Sequence, residues 1–179
     1  MDKVVLGIDP GTRITGYGLV SLKGTALTYV HSGTIVMDED APLSVRLNVI
    51  FETLSHLVQT YHPTDLAVES VFYSKNVQSV VTLSHARAIA LLVAARFQLT
   101  TGEYSPLEVK RAVAGYGNAT KQQLSKMVER LFPSFKNQTS FDQTDALAIA
   151  VCHSQVAKTR SHIAKALEKK AASMVRIKE

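Results

Sequence analysis

A single cysteine, Cys152, among 179 residues leaves no partner for an internal disulfide and too few thiolates for a multi-cysteine zinc site. It lies in an apolar helical stretch, where it reads as a small core residue. Long hydrophobic runs are missing too: the strongest, residues 89–93 with alanines after it, is too short to span a bilayer. No basic start followed by an apolar stretch and a cleavage site is present, because Asp2 and Asp9 bracket the first apolar run, so no secretory signal is expected. The six histidines, His31, His56, His62, His85, His153 and His162, have no ligand spacing, and no Ser/His/Asp triad is supported. Repeats and low-complexity linkers are absent, which favours one domain. These absences together point to a cytoplasmic protein with no membrane association. What is present is ordinary for a globular chain: 46% hydrophobic and 20% charged residues, in a length that can bury a real core.

Charge is unevenly placed. Residues 1–74 carry 4 Lys/Arg against 8 Asp/Glu, residues 75–136 carry 9 against 3, residues 137–157 carry 0 against 2, and residues 158–179 carry 7 against 2. Acidic segments around a basic middle suit a cation site beside a surface for polyanions. Solvated helix faces rich in lysine produce the same counts, so charge alone does not choose.

Three strand-like segments come first, residues 4–8, 16–21 and 27–36, joined by short Gly- and Pro-bearing connections that predict an antiparallel meander. Pro42 opens a helix with Leu47, Ile50, Leu54, Leu57 and Val58 on one face, ending before Pro63. "TDLAVESVF" reads as a buried strand. Residues 76–99 read as a helix that is apolar all round from Ala88 to Ala95, hence buried on two sides. "TGEYSPLEVK" predicts a short strand and the start of a helical turn. Thr120 with Gln123, and Ser140 with Gln143, are capping-box patterns that open two further helices, the last running through "DALAIAVCHSQVA". Residues 1–157 then form the domain, and the Lys/Ala-rich residues 158–179 a basic helix extension or tail.

The first strand ends in a charge. "VLGIDPGTRITGYG" places Asp9 just inside the end of the apolar run Val4, Val5, Leu6 and Ile8. Two readings stand open: a cap for the Pro10–Gly11 turn, or a rigid carboxylate that grips a cation or a phosphate-bound metal. The element order suggests a mixed sheet with helices on both faces, in which the first and fourth strands are parallel and adjacent. That puts Asp9 near Glu69 at the C-terminal strand edge, where α/β sheets bind ligands. Asp142 and Asp145 share one face at the start of the last helix. A helix dipole explains Asp142 better than Asp145, which precedes the buried-looking "ALAIAV". Four convergent carboxylates repel one another unless a divalent ion intervenes, and oxygen-only ligands select hard ions such as Mg²⁺ or Mn²⁺. A pair of such ions is the usual device for phosphodiester cleavage.

"GIDPGTRITGYG", "AVESVFYSKN" and "DQTDALAIAVCH", in this order and at this length, closely resemble the RuvC-type Holliday-junction resolvases, from near the N-terminus to about residue 157. The resemblance carries that family's acidic tetrad onto Asp9, Glu69, Asp142 and Asp145. It implies an α/β, ribonuclease H-like fold with a mixed five-stranded sheet, a homodimer, and Mg²⁺-dependent paired nicking of four-way DNA junctions in recombination and repair. It also implies work beside a branch-migration motor complex of the RuvA and RuvB type. Lys110 and Lys121 look like lysines close to the DNA backbone, Lys121 near the chemistry, and Phe72 and Tyr73, with Lys75 beside them, like an aromatic loop at the junction centre. "GIDPGT" also resembles the phosphate loop of actin-like and sugar-kinase ATPases, but those need a second domain of similar size. A relative that binds branched nucleic acid without cutting it is the remaining alternative, and the intact tetrad argues against it.

Overall fold

A computed structural model describes residues 2–70, 77–135 and 141–175, with the side chains of 77–79, 158 and 160–175 left aside. The meander is present: β1 (Lys3–Asp9), β2 (Ile14–Lys23) and β3 (Ala26–Val36) pair antiparallel. Then follow α1 (Leu43–Tyr61), β4 (Asp65–Glu69), α2 (Val77–Arg96), β5 (Thr100–Tyr104), α3 (Pro106–Ala114), α4 (Lys121–Leu131) and α5 (Phe141–Val175). The sheet order is β3-β2-β1-β4-β5, with β1, β4 and β5 parallel. The first and fourth strands are therefore neighbours, as the element order predicts.

Period-two patterning divides the core. Leu6, Ile8, Leu19, Leu66 and Val68 face α1 and α2, where Ile50, Leu54, Ala86, Ala90 and Val93 meet them. Val5, Val20 and Ala67 face the other way, onto α3, α4 and α5, with Val109, Leu124, Phe132 and Leu147. A fully buried leucine such as Leu54 contributes about 1.5–3 kcal/mol through area removed from water. Cys152 is a buried free thiol in the second of these layers.

Local signals explain the boundaries. Pro42 stands at the N-cap of α1, and His62 ends it in the left-handed region at φ 47°. Thr120 and Gln123 form the expected reciprocal box at α4. A second box was not foreseen: Ser105 Oγ accepts from the Glu108 backbone N–H at 3.2 Å while the Glu108 carboxylate accepts from Ser105 N–H at 2.8 Å. With Pro106 in the first turn it makes α3 a full nine-residue helix, where only the start of a turn is expected from the sequence. Gly115, at φ 85°, closes that helix in a conformation that favours glycine. The Ser140 half of the last predicted box, Asn76 at the predicted start of α2, and residues 71 and 72 of the predicted fourth strand lie outside the described residues. The basic segment continues α5 as helix to Val175. Among the described residues, no helix is long and apolar enough to cross a membrane.

Candidate active site

β1 and β4 run in parallel register, Ile8 beside Val68, so their C-terminal ends deliver Asp9 and Glu69 to the same edge of the sheet. α5 crosses above them. It sits close because strand positions beneath it lack side chains: a Cβ on Gly16 would strike the Asp142 carbonyl oxygen, and one on Gly7 the Ala146 carbonyl oxygen. Gly16 is also the cross-strand partner of Asp9. One residue thus borders the first carboxylate through the ladder and seats the helix that carries the last two.

A pocket of about 180 Å³ is lined by Asp9, Glu69 and Asp145 together with Lys110 from α3 and Lys121 from α4. Pro106, Val109, Leu124 and Ile149 supply apolar walls. Asp142 stands at the margin, near enough to act on Asp9, Asp145 and Lys121 through space but not part of the lining. The sequence-predicted residues Phe72, Tyr73 and Lys75 lie outside the described residues. Lys110 lines the pocket and Lys121 makes its ion pair, Nζ to Asp145 Oδ2 at 3.1 Å.

Burial holds the Asp9 carboxyl well above its ordinary range, and Glu69, Asp145 and Asp142 add repulsion against which Lys121 works. Glu69 is raised for the same first reason, then by Asp145, while a hydrogen bond with Asp9 and the two lysines pull it down. That bond makes Asp9 and Glu69 a pair that shares a proton more easily than it ionises twice. Burial also raises Asp145 despite the Lys121 contact. Lys121 is pulled down by burial but lifted net above its usual value by Asp145, Asp9 and Asp142.

These carboxylates are under-neutralised, and their donor set is oxygen only, which suits a hard divalent cation. Among the described residues, no three Asp, Glu, His or Cys side chains are yet gathered into a ready metal cage. The acids fit a hard divalent metal in chemistry, and three of them line one pocket.

Sequence reasoning overlooked the parts that hold these acids in position. Gly7 and Gly16 were legible in principle, since glycine inside an apolar strand marks close backbone approach. Arg46, on α1, donates from Nη1 to the Thr12 carbonyl at 3.1 Å, tethering the loop after Asp9. No local pattern announces that contact, which spans 34 positions. His153 is one of the histidines that show no ligand spacing in the sequence. It is core, bonded to Asp65 Oδ1 and the Tyr104 hydroxyl, each at 3.0 Å.

Acids at the open edge of a mixed sheet, with a helix that begins in two aspartates laid across them, define a ribonuclease H-like nuclease. Residues 5–153 match the family described as crossover junction endodeoxyribonuclease RuvC. The chain is 46% identical to the protein of that name from Syntrophotalea carbinolica, over 83% of this chain and 92% of that one. With the one from Geobacter sulfurreducens identity is 42%, over 88% and 95%. A solved structure described as T. thermophilus RuvC in complex with Holliday junction substrate superposes with a TM-score of 0.82 at 28% identity, covering 88% of this chain and 96% of that one. The chain belongs to the RuvC family of crossover junction endodeoxyribonucleases, a family of metal-dependent nucleases that act on Holliday junctions in recombination and repair.

Proposed function

We propose that Asp9, Glu69, Asp142 and Asp145 hold the divalent metal in this chain, and that Lys121 acts at the reacting phosphate. The supporting observation is the convergence of three of these acids and two lysines on one pocket at the strand ends. The metal is Mg²⁺, with Mn²⁺ able to substitute, and two ions are held per site. When bound, it supplies Lewis acidity that activates the attacking water and offsets charge on the phosphate. The chain's own residues do the rest. Asp9 and Glu69, on paired strands, fix the ligand oxygens rigidly, and the acids of α5 close the set from above. Lys121 and Lys110 line the same pocket, where cations attract the phosphate and oppose the charge that grows on it in the transition state. Water attacks in line, the bond from phosphorus to the 3′ oxygen breaks, and the products are a 5′-phosphate and a 3′-hydroxyl.

Phe72 and Tyr73 stack on bases at the junction centre and Lys75 contacts the backbone in this reading, by resemblance to the family. Two copies are needed to nick opposed strands. The apolar positions Val81, Leu83 and Leu92 of α2 remain exposed in one chain, at 45%, 39% and 55%, and support a two-fold interface along that helix. Residues 1–157 form the nuclease domain and 158–179 a basic extension of α5. The protein works in the cytoplasm beside a branch-migration motor complex of the RuvA and RuvB type.

The test is a synthetic four-way junction with Mg²⁺. Paired symmetric nicks, lost in Asp9→Asn, Glu69→Gln and Asp145→Asn while gel shifts persist, are the expected result. Near-normal cutting by any two of these variants would falsify the ligand assignment.

A further inference from the structure

We infer that Lys121 is the resident cation of the metal-free site: it competes with the metal for Asp145, and metal entry is what frees its ammonium for the phosphate. This deepens the reading of the acids as metal ligands and rests on it.

Three observations carry the inference. Lys121 is the first residue of α4, and the Thr120–Gln123 box pins that helix start, so the side chain begins from a fixed point beside the pocket. Its ammonium is 3.1 Å from Asp145 Oδ2, yet the side chain is 63% exposed against 16% for Asp145. The lysine is therefore not packed in place. It leans across an open mouth to the one acid it reaches, and can turn to solvent or to a phosphate without disturbing the core. Lys110 lines the same pocket, but among the described residues only Lys121 makes an ion pair with these acids.

The third observation is that the oxygen Lys121 holds belongs to Asp145, which lines the same pocket as Asp9 and Glu69. A carboxylate held by an ammonium is not free to close around another cation. A divalent ion at Asp145 would also place two cations within a few ångströms of each other, in a partly buried site where such repulsion is strong. Lys121 on Asp145 and metal on Asp145 therefore oppose one another. The consequence is an order of events: without metal the lysine offsets part of the acids' charge, and with metal bound the displaced ammonium would stand beside the same pocket, free for a phosphate.

The experiment is calorimetric titration of the full chain with MnCl₂ in the absence of DNA, for wild type, Lys121→Met and Lys121→Arg. The expected result is Mn²⁺ binding tighter by on the order of tenfold in Lys121→Met, from loss of one competing charge. Lys121→Arg, which keeps the charge, should stay within about threefold of wild type. Without metal, Lys121→Met should melt roughly 2–4 °C lower, and its rise in Tm on adding Mn²⁺ should be larger. At saturating Mn²⁺ it should still nick junctions more slowly, since the freed ammonium is missing. A lysine that only touches DNA would leave Mn²⁺ affinity unchanged, so equal or weaker Mn²⁺ binding by Lys121→Met overturns the inference, as does full-rate nicking by that variant at saturation. Failure of the underlying assignment looks different: Asp9→Asn and Glu69→Gln would then bind Mn²⁺ as tightly as wild type.

Discussion

Two carboxylates four positions apart on one strand live in opposite conditions. Asp65, at the start of β4, is 1% exposed and fully partnered: Lys3 Nζ at 2.7 Å, His153 Nε2 at 3.0 Å and Thr64 Oγ1 at 2.6 Å all reach it. Burial alone would raise its pKa, but those bonds hold it far below the ordinary carboxylate range. Glu69, at the other end of β4, is raised by burial and by Asp145. One end of the strand is electrostatically complete and the other is not. The complete end is structure, since it joins β1, β4, β5 and α5 in one buried network. The incomplete end is the one proposed for function: charge left unneutralised by the protein would give affinity for a cation from outside, at the expense of metal-free stability.

Substitutions at the two ends should separate these roles. The largest effect belongs to the incomplete end, where Asp9→Asn should reduce single-turnover nicking by at least about 10³-fold, roughly 4 kcal/mol of transition-state stabilisation, while junction binding persists. The same variant should be more stable than wild type in EDTA, because it removes a repelled charge. Urea denaturation checks the second half, and a less stable variant would contradict the contrast. Next in size is Asp65→Ala, which strands His153 and Lys3 and should cost about 3–5 kcal/mol by urea denaturation, with nicking per folded molecule little changed.

Gly16→Ala tests the link between the ends. The added methyl must lift the start of α5 from the sheet, at a cost of about 1–3 kcal/mol. Nicking should fall about tenfold at limiting Mn²⁺ and recover in part at high Mn²⁺, which a simple loss of folded protein would not do. Single-turnover rates across a metal titration, normalised to folded protein, decide the matter.

The smallest effect is in the pH dependence. Asp65 titrates lower in the folded chain than unfolded, so its contribution is present above the ordinary carboxyl pKa and is lost as pH falls below it. Asp9, Glu69 and Asp145 titrate higher when folded, so their contribution is present below the ordinary pKa and is lost as pH rises through the raised values. Without metal, stability should therefore peak on the acidic side of neutrality and decline towards pH 8. Urea midpoints from pH 4 to 8 in EDTA should show that decline, and saturating Mg²⁺ should flatten it. A decline that Mg²⁺ leaves untouched would place its cause away from the acids.

Much of this was legible before any fold was drawn. Apolar runs of period two and period 3.6 identified the elements, and short connections made β1 to β3 a meander. Asp9 and Glu69 stood out because a charge at the end of a buried strand is hard to explain by packing. Less visible were features whose meaning depends on distant residues. "TGEYSPLEVK" concealed the Ser105–Glu108 box behind a proline, so a nine-residue helix looked like a turn. The role of Asp65 had no local signal, because its partner His153 is 88 positions away.

The sequence by itself determined which residues are apolar on which face, where the chain must turn, and which four acids stand at strand and helix ends where packing does not explain them, because periodicity, backbone stereochemistry and charge burial act over a few residues. Only the tertiary structure decided which acids share a pocket, that Asp142 stands at its margin, that Lys121 rather than Lys110 reaches Asp145, and that Gly16 sets the height of α5. Those outcomes depend on how closely a helix can approach a sheet, and that distance is fixed by side chains brought together from opposite ends of the chain.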